Sequence, residues 1–349
     1  METFAPLDRL RRWKAPSAWK RIVTLDAHTG GEPLRIVLEG FPELPGRTIL
    51  ERRRMMKEQY DTLRRAIMWE PRGHREMYGC VVTPAVTPGA DFGVLFMHNE
   101  GYSTMCGHGI VAIATVAVET GMVQVVEPVT TIRIDSPAGL VTARVNVRAG
   151  RARSVAFQNV PSFVAAMDAR VEVPGLGTVP YTLAFGGAFY AYVKADAVGL
   201  RCLPEEYPEI VAKGMAIKRA VMAARPVEHP FEKDLSFLYG TIFTAPPVAA
   251  GADSRNVCVF ADGEVDRSPT GTGVSGRMAI HFARQEVTLG EPRTVESIVG
   301  SRFIGRVIAT TTFGPYEAVI PEVEGSASIT GRHEFFIDPD DTLGSGFLL

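Results

Sequence analysis

The sequence predicts an α+β fold of two pseudo-symmetric domains, each a mainly antiparallel sheet wrapped around a central helix. Three observations lead there. Short apolar or alternating segments are punctuated at close spacing by Gly, Pro and Asp, the pattern of antiparallel strands and turns. Two segments, GHGIVAIATVAVET from Gly107 and GTGVSGRMAIHFARQ from Gly271, read as helices dominated by small and apolar residues. A helix with little polar face belongs inside something. The two also begin alike: Cys106-Gly107-His108-Gly109 aligns with Thr270-Gly271-Thr272-Gly273, each after a strand and a short polar turn. This is the mark of an internal duplication, and 349 residues are too many for one ordinary core.

In chain order, strands are expected at Arg21–Leu25, Leu34–Leu38, Gly93–His98, Thr131–Asp135, Val141–Val147, Ala191–Val193, Arg255–Phe260, Arg306–Thr312 and Ala318–Pro321. An amphipathic helix is expected over Met55–Arg65, and one or two more over Pro204–Arg225. The two small-residue helices should run from Gly107 to about Thr120 and from Gly271 to about Gln285. The second is less apolar than the first because it carries Arg277, His281 and Arg284. A boundary near Pro161–Asp168 places the first domain at 20–165, with a return of about 331–349 onto it, and the second at 166–330.

Composition narrows the classes of function. Apolar residues make up 46%, charged residues 22%, and the formal net charge is −2. That balance gives no general attraction to nucleic acid or anionic membranes. The basic cluster of Arg9, Arg11, Arg12, Lys14, Lys20 and Arg21 reads as a solvated face or loose arm, with Trp13 and Trp19 packed on the body. No signal-peptide-like apolar stretch opens the chain, and Glu2 and Asp8 argue against an import leader. The apolar run at Gly109–Val118 is too short to span a bilayer. Four scattered cysteines, Cys80, Cys106, Cys202 and Cys258, fit free thiols in a reducing cytoplasm. A homodimer is left open.

The chemistry sits at the two helix starts. A helix N-terminus exposes unpaired N–H groups and partial positive charge, and glycines let an anion approach closely. Two such ends facing each other would grip a substrate carboxylate. Cys106 at one of them reads as a base or nucleophile whose thiolate the same field stabilises, with His108 able to move a proton. Taken alone, Cys106 reads first as a small buried hydrophobe, the usual fate of a free cysteine. The surrounding glycines, His108 and the echo at Thr270 favour chemistry. Cys-x-His is not a usual structural-zinc spacing and no partner cluster stands near it. Gly271–Gly276 matches a dinucleotide fingerprint, but the first glycine does not follow a strand directly. No metal or organic cofactor is expected.

The blocks DAHTGGEPLRIV from Asp26, EPRGHREMYG from Glu70, FMHNEGYSTMCGHG from Phe96, AFGGAFYA from Ala184, DLSFLYGTI from Asp234, NVCVFADGEVDRSPTGTG from Asn256 and IPEVEGSASITGRHEFFIDPDD from Ile320 carry a family signature. Over nearly the whole chain the sequence resembles the proline racemase family and, within it, the trans-3-hydroxy-L-proline dehydratases. The resemblance implies a diaminopimelate-epimerase-like fold with the active site between the domains. It implies Cys106 and Thr270 as the catalytic positions, and Gly107, His108, Asp266, Gly271 and Thr272 as substrate-binding positions for an imino acid. Asp266 would accept from the protonated ring nitrogen; its bland reading is a turn aspartate, and that of Thr270 a helix N-cap. The racemases carry a second cysteine where this chain has Thr270. An aliphatic hydroxyl does not ionise near neutral pH, so racemisation should be lost and a one-base, cofactor-independent dehydration should remain. The alternatives are a hydroxyproline 2-epimerase or proline racemase that tolerates Thr270, and a catalytically silent imino-acid-binding protein. His28, His98 and Tyr78 are candidates to line the cleft, though a structural role is the favoured reading of each, and Gly186-Gly187 reads as close backbone packing.

Overall fold

A computed structural model describes residues 5–349; Glu2 lies outside them. Six α-helices are present among these residues: α1 (Ala5–Arg12), α2 (Ile49–Gln59), α3 (Asp61–Met68), α4 (Gly107–Glu119), α5 (Tyr207–Ala224) and α6 (Gly271–Ala283). No helix among them is long and apolar enough to cross a membrane.

The strands follow one plan twice. The antiparallel pair Lys20–Thr29 and Glu32–Glu39 is joined in parallel by Tyr78–Thr83, which pairs antiparallel with Phe92–His98. The chain then runs through α4. It re-enters as Val129–Ser136, parallel to Phe92–His98 and antiparallel to Gly139–Arg148. In the other half the antiparallel pair Gly177–Phe185 and Phe189–Lys194 is joined in parallel by Leu238–Ala245, which pairs antiparallel with Ser254–Phe260. After α6 the strand Arg293–Glu296 lies parallel to Ser254–Phe260 and antiparallel to Arg302–Phe313. The sheet is therefore mainly antiparallel, with parallel joints at matching places in both halves.

Each half closes around its own helix. In α4 every residue from Gly107 to Val118 is buried, and its Ile, Val and Ala side chains form the centre of the largest core. The absence of a polar stripe, which leaves no face for water, is the reason it lies inside the sheet. Helix α6 is buried from Gly271 to Gly276 and again from Met278 to Ile280. Strand Tyr316–Gly325 is shared: it pairs with Arg302–Phe313, with Ser162–Val173 and with Arg151–Gln158. The next strand, Ala327–Ile337, returns to pair antiparallel with Lys20–Thr29.

One helix differs from expectation. The periodic stretch Met55–Arg65 is not continuous. Helix α2 starts earlier, at a Thr48 cap whose side chain accepts from the Glu51 N–H, and closes at Tyr60, whose N–H donates to the Met56 carbonyl. Helix α3 begins at Asp61. Tyr60, with φ −128° and ψ 15°, breaks the helical path between them. At the N-terminus Trp13 packs edge-on against Phe336 with ring centroids 5.6 Å apart, and Trp19 lies 5.9 Å from Trp13.

Candidate active site

The two central helices meet end to end. A Cβ placed on Gly107 would lie 2.5 Å from the Gly271 Cα, and one on Gly271 would lie 2.6 Å from the Gly107 Cα. Only glycine at both positions allows this approach. The backbone amides of Gly107, His108, Gly271 and Thr272 precede the first intrahelical bonds, Ile110 N–H to Cys106 and Val274 N–H to Thr270. Gly186 closes in from the side: its Cβ would stand 2.2 Å from the Thr272 carbonyl, so the Gly186-Gly187 pair does serve backbone packing. The glycines of the dinucleotide-like run are taken up in the same way, since a Cβ on Gly276 would meet the Tyr192 hydroxyl at 2.3 Å.

Between the helix ends lies a cavity of about 20 Å³. Cys106, Gly107, His108, Asp266, Thr270, Gly271 and Thr272, all seven positions expected from the sequence, line it. So do Tyr78, Met105, Tyr190, Tyr239, Cys258 and Phe260, which stand within the family blocks but outside the site positions that the resemblance implies. Tyr78 is thus a wall of the cavity, the less favoured of its two readings. His98 does not line the cavity but stacks on Tyr78 with centroids 5.7 Å apart. The volume is that of about one water molecule, less than an imino acid fills.

Cys106 is the N-cap of α4, and its sulfur accepts the Gly109 N–H at 3.2 Å. The His108 Nδ1 lies 3.3 Å from the same sulfur. Burial pushes the Cys106 thiol well up; the Gly109 N–H and the Tyr78 hydroxyl pull it down, and the Asp266 and Glu32 carboxylates push it up. The expected stabilisation of the thiolate by the helix end is therefore outweighed by burial, because desolvation disfavours the charged form. Burial also lowers the pKa of His108, against the pull of Asp266.

Thr270 caps α6 in position only. Its φ of 65° is left-handed, its side chain makes no cap hydrogen bond, and its buried Oγ1 has no partner. A β-branched residue in that region is a strained outlier. Asp266 does make a turn: its Oδ1 accepts the Ser268 N–H at 2.7 Å, which fixes the carboxylate at the cavity wall. Thr272 Oγ1 and the Tyr190 hydroxyl are hydrogen-bonded at 2.7 Å. Cys258 sits on a strand beside them, and its thiol is pushed well up by burial and by Asp266. Among the described residues no group of three or more His, Cys, Asp or Glu side chains is arranged to hold a metal.

Comparison with known proteins adds the lineage. The family described as proline racemase matches residues 24–348. A trans-3-hydroxy-L-proline dehydratase of Colwellia psychrerythraea is 49% identical over 94% of this chain and 92% of its own. A 3-hydroxyproline 2-epimerase of Burkholderia multivorans is 47% identical over 95% of this chain and 98% of its own. The crystal structure of a hydroxyproline epimerase from Agrobacterium vitis with bound trans-4-hydroxy-L-proline superposes with a TM-score of 0.90, at 31% identity and 96% coverage of both chains. With two abutting helix ends, a thiol on one of them and this match over nearly its full length, the chain belongs to the proline racemase family.

Proposed function

We propose that the protein dehydrates trans-3-hydroxy-L-proline to a pyrroline-2-carboxylate without a cofactor, with Cys106 as base. The observation that carries the reading is the asymmetry of the two helix ends: a thiol at one, a hydroxyl with no hydrogen-bond partner at the other. The dehydratase named above, at 49% identity, supports the same reaction.

In the proposed complex the substrate carboxylate takes the amides of Gly107, His108, Gly271 and Thr272, and Asp266 accepts from the protonated ring nitrogen. In the trans isomer the α-hydrogen and the 3-hydroxyl share a ring face. The Cys106 sulfur removes the α-proton, the freed electron pair forms the Cα–Cβ double bond, and the 3-hydroxyl leaves as water with a proton from the thiol or His108. The helix ends stabilise the charge that develops at the α-carbon. Thr270, opposite, supplies no second base. The enamine product tautomerises to the imine in solution. The division into residues 20–165 with about 331–349, and 166–330, is part of the same proposal, as is a cytoplasmic location, which the four free buried cysteines support.

One observation favours a second reading. Cys258 also lines the cavity, and the Burkholderia relative is named an epimerase. A second thiol able to act from the other face would make the protein a hydroxyproline 2-epimerase. Incubation with trans-3-hydroxy-L-proline decides between them: a pyrroline product is expected, and recovery of the C2 epimer in its place would overturn the dehydratase reading. Wild-type protein should not interconvert L- and D-proline, whereas Thr270→Cys should bring detectable racemisation, followed by polarimetry.

A further inference from the structure

Asp266 is held by more than its own half of the molecule. It follows the two-residue strand Glu264–Val265, where regular pairing ends and the amides need other acceptors. The Asp266 N–H donates to the Cys258 carbonyl at 3.1 Å, within the α6 half. The amides on either side of it turn to the α4 half. The Val265 N–H donates to Glu76 Oε1 at 3.0 Å, and the Arg267 N–H donates to Glu32 Oε2 at 2.8 Å. Two carboxyls from one half thus bracket the carboxylate that the other half brings to the cavity.

The bracketing carboxyls are themselves fixed. Glu76 lies between α3 and strand Tyr78–Thr83, and Glu32 opens strand Glu32–Glu39. Both are buried, Glu32 completely. The Arg267 guanidinium pairs with Glu76 and stands 3.7 Å from Glu32 Oε2, and the Tyr207 hydroxyl of α5 donates to Glu76. Glu76 has a φ of 66°, a left-handed strain that a non-glycine residue keeps only where its surroundings hold it. The hairpin that carries Glu32 also reaches the opposite wall of the cavity, where the Thr29 hydroxyl donates to the His108 carbonyl at 2.9 Å. One turn therefore touches both the helix end of Cys106 and the segment of Asp266. Neither Glu32 nor Glu76 lines the cavity. Burial, and then the nearby Asp266 charge, push the Glu32 carboxyl well up against the pull of Arg267. What Glu32 offers the Arg267 amide is thus an acceptor oxygen more than a charge.

We propose that Glu32 and Glu76 are positioning residues that aim the Asp266 carboxylate at the ring nitrogen of the substrate, by holding the amides on both sides of it from the opposite half. The inference rests on Asp266 receiving that nitrogen, as proposed above. Loss of either acceptor frees one flank of Asp266 and lets its carboxylate swing off the nitrogen. The helix ends that take the substrate carboxylate are fixed separately, by the Gly107–Gly271 contact. A ligand with a charged ring nitrogen therefore feels the change, and a ligand without one does not.

Calorimetry on the full-length protein tests this with two ligands, trans-3-hydroxy-L-proline and pyrrole-2-carboxylate, in a Cys106→Ser background that suppresses turnover. Glu32→Ala and Glu76→Ala should weaken binding of the hydroxyproline roughly 5–50-fold, a large part of what a charge-assisted hydrogen bond contributes, with pyrrole-2-carboxylate little changed. Glu32→Gln, which keeps an acceptor oxygen in place, should recover most of the loss. In an Asp266→Ala background Glu32→Ala should add no further loss, because the two act through one contact. Unchanged hydroxyproline affinity in both alanine variants overturns the proposal. So does equal weakening of both ligands, or a loss that persists in full without Asp266, since either marks an interface that is only structural. Where an alanine variant does not fold, Glu32→Asp or Glu76→Asp, whose shorter side chain withdraws the oxygen, is judged by the same criteria. If Asp266→Ala alone leaves hydroxyproline binding intact, the role given to Asp266 fails. If Asp266→Ala weakens it and the glutamate variants do not, the positioning role alone fails.

Discussion

Cys106 is held between opposed influences: a sulfur that accepts a backbone N–H at a helix end, in a site whose burial favours the neutral thiol. Sulfur is suited to that balance and oxygen is not, because an alcohol starts several pKa units higher. Cys106→Ser should therefore bind pyrrole-2-carboxylate normally and lose roughly 10²–10⁴-fold in kcat; a mutant retaining a tenth of wild-type turnover would remove Cys106 from the role of base. Asp266 presents a carboxylate fixed by the Ser268 N–H. Asp266→Asn keeps that turn but loses the charge, and a charge-assisted hydrogen bond contributes about 1.5–3 kcal/mol. Substrate affinity should fall roughly 10–100-fold, while that for pyrrole-2-carboxylate, whose ring nitrogen is uncharged, should hold. Calorimetry on both ligands separates the cases, and equal affinity for substrate would make Asp266 a turn residue only.

At the scale of elements, the glycine contact between α4 and α6 sets the spacing of the two helix ends proposed to hold the carboxylate. Gly107→Ala puts a Cβ 2.5 Å from a backbone atom that cannot rotate away. The helices must part by a fraction of an ångström or more, and such misplacement can cost about 10²-fold in rate. We expect kcat/KM to collapse while stability falls by only about 1–3 kcal/mol in a denaturant titration; full activity in the variant would show that the ends need not touch. These two helices are legible in the sequence because their lack of polar residues and shared opening motif are local signals. Other strands lack such signals. Ala327–Ile337 is largely exposed, so no apolar alternation marks it. Ser162–Val173 is broken by two register shifts that scramble its period. The site residues divide in the same way. Those at the helix ends follow from the chemistry of a helix N-terminus, whereas Tyr78, Tyr190, Tyr239 and Cys258, though within the family blocks, arrive from separate strands. Only the closed sheet brings them together.

At the scale of the whole molecule, the shared strand Tyr316–Gly325 ties the halves into one unit, since it bonds to strands on both sides. Two domains linked only by loops would unfold separately. Here the transition followed by tryptophan fluorescence, which reports the first half because Trp13, Trp19 and Trp69 all lie there, should coincide with that followed by circular dichroism. Two resolved midpoints in urea would show the shared strand to be a weak link.

The pairing of Lys20–Thr29 with Ala327–Ile337 also imposes an order in time. On the ribosome the earlier strand emerges long before its partner is made. At roughly 5–20 residues per second, the interval is on the order of tens of seconds. Through that interval one edge of the first sheet is uncovered and α4, the least polar helix of the chain, lacks part of its wrapping. The nascent chain is therefore a natural client for chaperones until its last strand is delivered, and slowing synthesis lengthens the exposure without touching a single residue of the finished enzyme.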